Sequence, residues 1–412
     1  MSVLLFLAFG AALSLDADTT QEAVFNNVWT YNASAKTISK DGWELYVTWS
    51  AANPGVLSSR AVNGSMIKAY PATGYETLDL RRIALSYGEE LHPITDVRLV
   101  TSTLGGSKSV PTRVYFSHVT SVAQYAFNEN PNLKEMYMEE STPKLAQLAW
   151  RFSNGTPQLE KLSVKPGFTN VAASAFLGMT KLNCEVMDFI SPNCETFGVN
   201  AFGNTPLLHG KLTLKNLKVW PAKLFYGSVA SQVCGIEDVE IQSDLPAVPA
   251  NGFTGLWGVT NIVLRMPDLA TLGEASLCNL TNLVTITFAT RQTLAASKDT
   301  YLGRSIHLKS ITFGGKHPAN ATIVRMIHGN LINVNDNHPG AKDIIFYASN
   351  RPEWGWRGAS DINGLTDAEI ALPPPDGAFG VWCYDDNVAR RSAWVVHRPS
   401  PWDAKGFAIL LR

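Results

Sequence analysis

The segment from Ile332 to Gly340 reads INVNDNHPG. Its Asn333, Asn335, Asp336 and Asn337 carry oxygens of the kind that ligate a hard cation such as calcium. A calcium loop also needs glycine at its sixth position and a bidentate glutamate at its twelfth. His338 and Ile344 stand in those places, so an Asn-rich turn is the better reading. Thr103 to Ser109, TLGGSKS, has the glycines and lysine of a phosphate cradle, but no glycine precedes Lys108. It reads as a polar turn. Asp385 and Asp386 form a carboxylate pair, yet neighbours on an extended chain point apart, which favours a hairpin turn over acid–base work. The eight histidines are scattered, with no HExxH and no pair at metal-ligand spacing, and no GxSxG elbow is present. The five cysteines, Cys184, Cys194, Cys234, Cys278 and Cys383, contain no CxxC pair. Cys184 and Cys194 are close enough in sequence to bridge in an oxidising compartment; buried free thiols are the other reading. The expectation is a chain with no catalytic residues, no metal and no cofactor.

What remains are residue types suited to recognition. Five of the eleven tryptophans lie between Trp354 and Trp402, including Trp354-Gly355-Trp356. Indole faces can stack on sugar rings, or can form the core of a small β-rich end. The sequons at Asn32, Asn63, Asn154, Asn279 and Asn320 matter only in a eukaryotic secretory host. The formal net charge is -1, so there is no global pull toward nucleic acid, and no nucleic-acid partner is expected. Charged residues make up 17%, below the ~25% of typical soluble domains, which suits a β-rich extracellular chain.

The elements that position these residues repeat. A large apolar residue returns about every 25 residues, at Phe127, Phe152, Phe176, Phe202, Phe225, Phe253, Leu277 and Leu302. Several of these anchors follow Ala or Gly. Some six residues on, an aliphatic residue opens an L-x-x-φ-x-φ triplet. Examples are Leu133/Met136/Met138, Leu159/Leu162/Val164, Ile236/Val239/Ile241, Val259/Ile262/Leu264, Leu283/Ile286/Phe288 and Leu308/Ile311/Phe313. The copy at Leu208 slips by one to Leu212/Leu214, and the copy at Leu182 is irregular. Alternation over φ-x-φ points both apolar residues off one side of a short strand. One unit cannot bury its own apolar side; stacked units can, Phe over Phe and Leu over Leu. The spacing predicts a short helix, a turn, a short parallel strand and a long return loop in each unit.

Residues between and beside the inward ones then share one solvent face. Glu135, Tyr137, Lys161, Ser163, Thr213, Glu240, Asn261, Arg265, Thr285 and Thr287 lie on it. It is a mixed polar surface whose one large anchor is Tyr137, and the candidate binding site is the face as a whole.

The order AF-x5-L-x-x-φ-x-φ, preceded by segments such as Val119-Thr120-Ser121-Val122, resembles the BspA-like leucine-rich repeats over roughly residues 110–345. Only SLCNLTNL, Ser276 to Leu283, keeps the cysteine frequent in that family, and the ladder asparagine of other leucine-rich repeats is not regular here. The resemblance implies a solenoid, secretion or surface attachment, and adhesion or binding in place of catalysis.

Residues 1–17 read as a signal peptide. Val3 to Leu15 is apolar apart from Gly10 and Ser14, too short to span a bilayer, with small residues at Ala12 and Ser14 for cleavage. No Lys or Arg precedes that run. No other segment is long enough for a transmembrane helix. Residues 18–105 read as an N-terminal β-rich cap, 106–345 as a leucine-rich-repeat solenoid of about eight repeats, and 346–412 as a C-terminal β-rich cap after the break at LPPPDG. The functional expectation is an exported, non-enzymatic protein that binds a protein or glycan ligand along the solenoid. The alternative is a structural surface component that self-associates.

Overall fold

The computed structural model describes residues 28–50, 53–59, 67–85, 91–92, 94–97, 111–122, 132–141, 144–145, 158–226, 234–296, 302, 305, 307–314, 344–348, 380–385 and 390–395. The apolar leader, TLGGSKS, the Asn333–Asn337 turn, Trp354 and Trp356, the anchors Phe127 and Phe152, and the sequons at Asn63, Asn154 and Asn320 lie outside these residues.

Short strands stack in parallel register to form a β-solenoid. The front ladder begins at Thr77–Leu80 and continues through Arg113–Ser117, Glu135–Ser141 and Lys161–Pro166. It resumes at Lys211–Leu214 and runs through Asp238–Gln242, Asn261–Arg265, Thr285–Phe288, Ser310–Phe313 and Ile344–Ala348. Between its halves lies the irregular copy. There the strand gives way to a 3-10 turn, Val186–Asp188, and the backbone N–H of Thr213 donates to the Met187 sulfur at 3.4 Å where a strand carbonyl would otherwise accept it. A second face carries two-residue strands, such as Ser121–Val122, Lys144–Leu145, Asn170–Val171 and Thr196–Phe197, and further on Ala247–Val248, Thr271–Leu272 and Ala295–Ala296.

Each apolar residue of the repeat triplets named above is at most 1% exposed. The anchors form a stack through the middle of the coil: Phe176, Phe202, Phe225 and Phe253 lie with ring centroids 5.7, 5.9 and 6.5 Å apart and nearly parallel planes. Leu277 and Leu302 continue the column, fully buried. At Phe176, Phe202, Phe225, Phe253 and Leu277 turns and bends replace the expected short helix, while Leu302 keeps a 3-10 turn, and the hydrogen bonds give the reason. The N–H groups of Ser174, Phe176, Asn251 and Phe253 donate to carbonyls of the following coil, Val199, Ala201, Glu274 and Ser276. A helix would have spent those donors within itself. Two residues before Phe176, Phe202, Phe225, Phe253 and Leu277 the backbone turns left-handed, at Ser174, Asn200, Lys223, Asn251 and Ala275, which closes the corner and stops helical propagation.

In place of an asparagine ladder the coils use hydroxyls. Ser243 Oγ donates to Leu217 O in the preceding coil and accepts the Leu245 N–H. Thr290 Oγ1 donates to Leu269 O at 2.6 Å and accepts the Gln292 N–H. Ser141 Oγ accepts the Val119 N–H, and Ser191 Oγ accepts that of Asn193. These residues leave the front strands at the same corner, and each satisfies buried backbone groups that the turn strips of partners.

Val28–Asn32, Thr37–Lys40, Trp43–Ser50 and Asn53–Ser59 pair as an antiparallel meander, and the last of them also pairs in parallel with Ile94–Val97 of the second face. At the other end, Gly380–Asp385 and Arg390–Val395 add antiparallel to Ile344–Ala348. Cys184, Cys194 and Cys234 are free and buried, so the thiol reading holds over the bridge. Burial pushes them up to about 11, 12 and 11, which leaves them protonated and unreactive at neutral pH.

Candidate binding face

Because the buried residues alternate along each front strand, the residues between them emerge together on one outer side. Glu135, Tyr137, Lys161, Ser163, Thr213, Glu240, Asn261, Arg265, Thr285 and Thr287 all stand there. Register sets their neighbours: Glu135 lies opposite Lys161 and Tyr137 opposite Ser163, while Thr213 is followed by Glu240, Val263, Thr287 and Thr312.

The first half of the face is built around aromatic rings and ion pairs. Arg113 grips Glu135 with both prongs, Nε to Oε2 at 2.8 Å and Nη2 to Oε1 at 2.7 Å, and the Tyr137 hydroxyl donates to the same Oε2 at 2.7 Å. The rings of Tyr115 and Tyr137 stack, with centroids 4.8 Å apart and planes 11° from parallel. Arg81 covers the outer face of Tyr115 at 4.7 Å, and the Lys161 ammonium sits 5.5 Å from the Tyr137 centroid. Arg81 in turn holds Asp79 bidentately and reaches Glu139. Beside it Arg82, His118 and Glu140 meet, with Arg82 Nη2 donating to Glu140 at 2.6 Å and His118 Nε2 2.8 Å from the same oxygen.

The second half carries one charged knot and then turns neutral. Lys211 and Arg265 both donate to Glu240, one from each side. Thr285 donates to Asn261 Oδ1 at 2.6 Å. Val263, Thr287, Ser310 and Thr312 complete a surface of methyls and hydroxyls.

These partners fix the acid response. The Arg113 hydrogen bond holds the Glu135 carboxyl below the usual range, and the Lys211 bond does the same for Glu240. Burial, then the charge of Arg82, lowers His118. All three shifts have one sign: the unfolded chain binds the proton more readily. Their stabilisation is present above the unfolded values, ~6.5 for histidine and ~4.3 for glutamate, and is lost as pH falls through the lower folded ones. Thermal unfolding followed from pH 8 to pH 3 is expected to show a midpoint that begins to drop below about pH 6.5 and drops faster below about pH 4.5. The double variant Glu135→Gln, Glu240→Gln should melt below the wild type at pH 7, and the gap should narrow as the pH falls toward 3. Parallel curves across that range would contradict this origin.

Asp79, Arg81, Arg113, Tyr115 and Lys211 are part of the face and were not among the residues the repeat singled out. Thr77-Leu78-Asp79-Leu80 and Arg113-Val114-Tyr115-Phe116 do alternate polar and apolar, which was the available signal. Among the described residues no group of His, Cys, Asp and Glu side chains is placed to hold a metal ion, and no helix is long and apolar enough to cross a membrane.

The family described as BspA type leucine rich repeat region matches residues 107–232 and 227–320, in six copies. Searching curated proteins gives no match. The similar solved structures include three at low identity. A leucine rich cell surface protein from Faecalibacterium prausnitzii A2-165 is 13% identical, covering 67% of this chain and 88% of its own, with a TM-score of 0.26. The pneumococcal vaccine antigen PcpA is 12% identical, covering 77% and 88%, with a TM-score of 0.26. A leucine-rich repeat protein from Bacteroides ovatus ATCC 8483 is 13% identical, covering 72% and 92%, with a TM-score of 0.24.

Proposed function

We propose, from the premise that this chain belongs to the BspA-type leucine-rich repeat family, that it is an exported surface protein that binds a protein partner along its front ladder and catalyses no reaction. The observation that carries the reading is the pre-organised state of the face. Tyr115 and Tyr137 are locked by stacking, by Glu135 and by the two flanking cations. Rigid tyrosine and arginine lose little entropy on binding and are enriched where interfaces concentrate their energy.

A protein fits better than a glycan at this point. Sugar rings pack on aromatic faces, and both faces of the tyrosine pair are taken, one by Arg81 and one by Lys161. Only ring edges are offered outward, and these suit side chains. The test is a binding screen of the purified chain against extracellular-matrix proteins and a glycan array, with light scattering on the same sample. A saturable protein hit weakened at least tenfold by the triple change Tyr137→Ala, Lys161→Ala, Glu240→Ala is the expected result. A hit indifferent to those changes would place binding elsewhere. Oligomers that grow with concentration, and no ligand, would make the chain a self-associating component.

A further inference from the structure

We infer that the partner presents an acidic segment to the front ladder, received by Arg113 and Lys161 above Glu135; this rests on the reading of the face as a protein-binding surface. The overall charge gives no hint of it, because the chain is close to neutral. The asymmetry is in depth. In three ion pairs of this face the cation outreaches its carboxylate and is the outer member, the reverse of the Arg81 pairs. Arg113 is 42% exposed and Glu135 27%; Lys211 is 49% exposed and Glu240 21%; Lys165 is 57% exposed and Asp188 35%. Charges in the outer layer dominate what an approaching surface feels, because screening acts within about 8 Å at physiological salt.

Two cation–carboxylate–cation triads repeat the theme. In one, Glu135 lies between Arg113 and Lys161 in successive coils of one register row. In the other, Glu240 lies between Lys211 and Arg265. The second is neutralised locally, since Asp238 stands in register beside Lys211. The first keeps its surplus positive charge. Glu135 has both oxygens engaged by Arg113 and Tyr137, while the Arg113 Nη1 amine and the Lys161 ammonium make no hydrogen bond to it. Arg113 and Lys161 are two strand spacings apart, about 10 Å, with the edges of Tyr115 and Tyr137 alongside. That distance is about three residues of a polyproline-II chain, whose three-residue turn returns side chains to one face. A segment with carboxylates at that interval and an apolar residue between them fits the row.

The neighbouring charges set a direction. Asp79 and Glu139 both face Arg81, which is more buried than either, so the rim beside Tyr115 carries surplus negative charge. An acidic segment is therefore favoured over the Arg113–Lys161 row and disfavoured over the rim, and the partner's registration along the ladder follows.

The probes are poly-L-glutamate and poly-L-lysine of matched length, with heparin as the polyanionic sugar, followed by fluorescence anisotropy at low and physiological salt. Poly-L-glutamate is expected to bind saturably and at least tenfold more tightly than poly-L-lysine. Arg113→Gln with Lys161→Gln should weaken it at least tenfold and flatten its salt dependence. The charge-keeping pair Arg113→Lys, Lys161→Arg should retain it, and circular dichroism should show every variant folded. Preference for poly-L-lysine, or unchanged poly-L-glutamate binding by the Gln pair, would overturn the inference. Heparin bound more tightly than poly-L-glutamate and lost with the same pair would also overturn it, in favour of an anionic glycan. If a protein partner from the screen is lost with the Tyr137, Lys161 and Glu240 changes while poly-L-glutamate never binds, the face stands as the site and the acidic assignment alone falls.

Discussion

Phe202→Ala is expected to lower the unfolding free energy by about 3–5 kcal/mol, the range for deleting a fully buried phenylalanine. The upper part of that range is the expectation here, for a structural reason. The Phe202 ring has neighbours on three sides, Phe176 at 5.7 Å, Phe225 at 5.9 Å and Phe197 at 5.5 Å. The coils above and below cannot collapse into the hole, because their backbones are pinned across it by Phe176 N–H to Ala201 O and Phe202 N–H to Leu224 O. Cost rises with the volume that fails to close. In a solenoid each coil contacts only its neighbours, so the defect also weakens the coupling between the two halves of the array. Phe202→Leu should cost less than about 1.5 kcal/mol, since it keeps most of the volume and since Leu277 and Leu302 fill the same place in later coils. Guanidinium unfolding gives both numbers, and a lower slope for the alanine variant would report halves that melt separately. Equal cost for the two substitutions would show that the stack contributes no more than ordinary apolar burial.

The column that this prediction tests was legible because a large apolar residue recurs at nearly constant spacing. The inward triplets were legible for the same reason. Where spacing fails, so does reading. Thr77–Leu80 and Arg113–Ser117 are consecutive rungs of the ladder, yet the chain between them is longer than a normal coil, so their period is hidden. With those rungs went Asp79, Arg81, Arg113 and Tyr115, which make the first half of the face what it is. Tyr137 was visible as a large residue on a strand; that its ring is clamped between Tyr115 and Lys161 depends on which strands adjoin, and register is not written in any one strand. The hydroxyl corner is hidden because it carries no regular asparagine. Serine and threonine do the same work there, through a local turn that their side chains close on the backbone two residues on. The helix expected at Phe176, Phe202 and Phe253 gives way because propensity weighs a segment alone, while its donors have better partners in the next coil.

Gly255→Ala is expected to destabilise the chain by about 3 kcal/mol or more, although it adds one methyl group. Two costs coincide at this position. The backbone φ is +102°, beyond the left-handed well near +57° that an L residue occupies at a penalty of about 1–2 kcal/mol. A Cβ there would also lie 2.3 Å from Phe225 O and 2.8 Å from Phe225 C, both main-chain atoms of the coil beneath. A methyl has no rotamer to escape into, so relief requires one coil to shift against the next. That shift is resisted by the Cys234 N–H, which donates to the Gly255 carbonyl, and by the Phe225–Phe253 ring stack. Gly74 separates the two costs. Its φ is +72°, and nothing lies within 4 Å of where its Cβ would be, so Gly74→Ala carries the conformational penalty alone, about 1 kcal/mol. Chemical denaturation of both variants beside the wild type measures the difference. A loss at Gly255 well above that at Gly74 assigns the excess to the contact between coils. Similar losses would mean that coil-to-coil spacing in this solenoid yields to a methyl group, and that the backbone, not the stack, sets the tolerance at this corner.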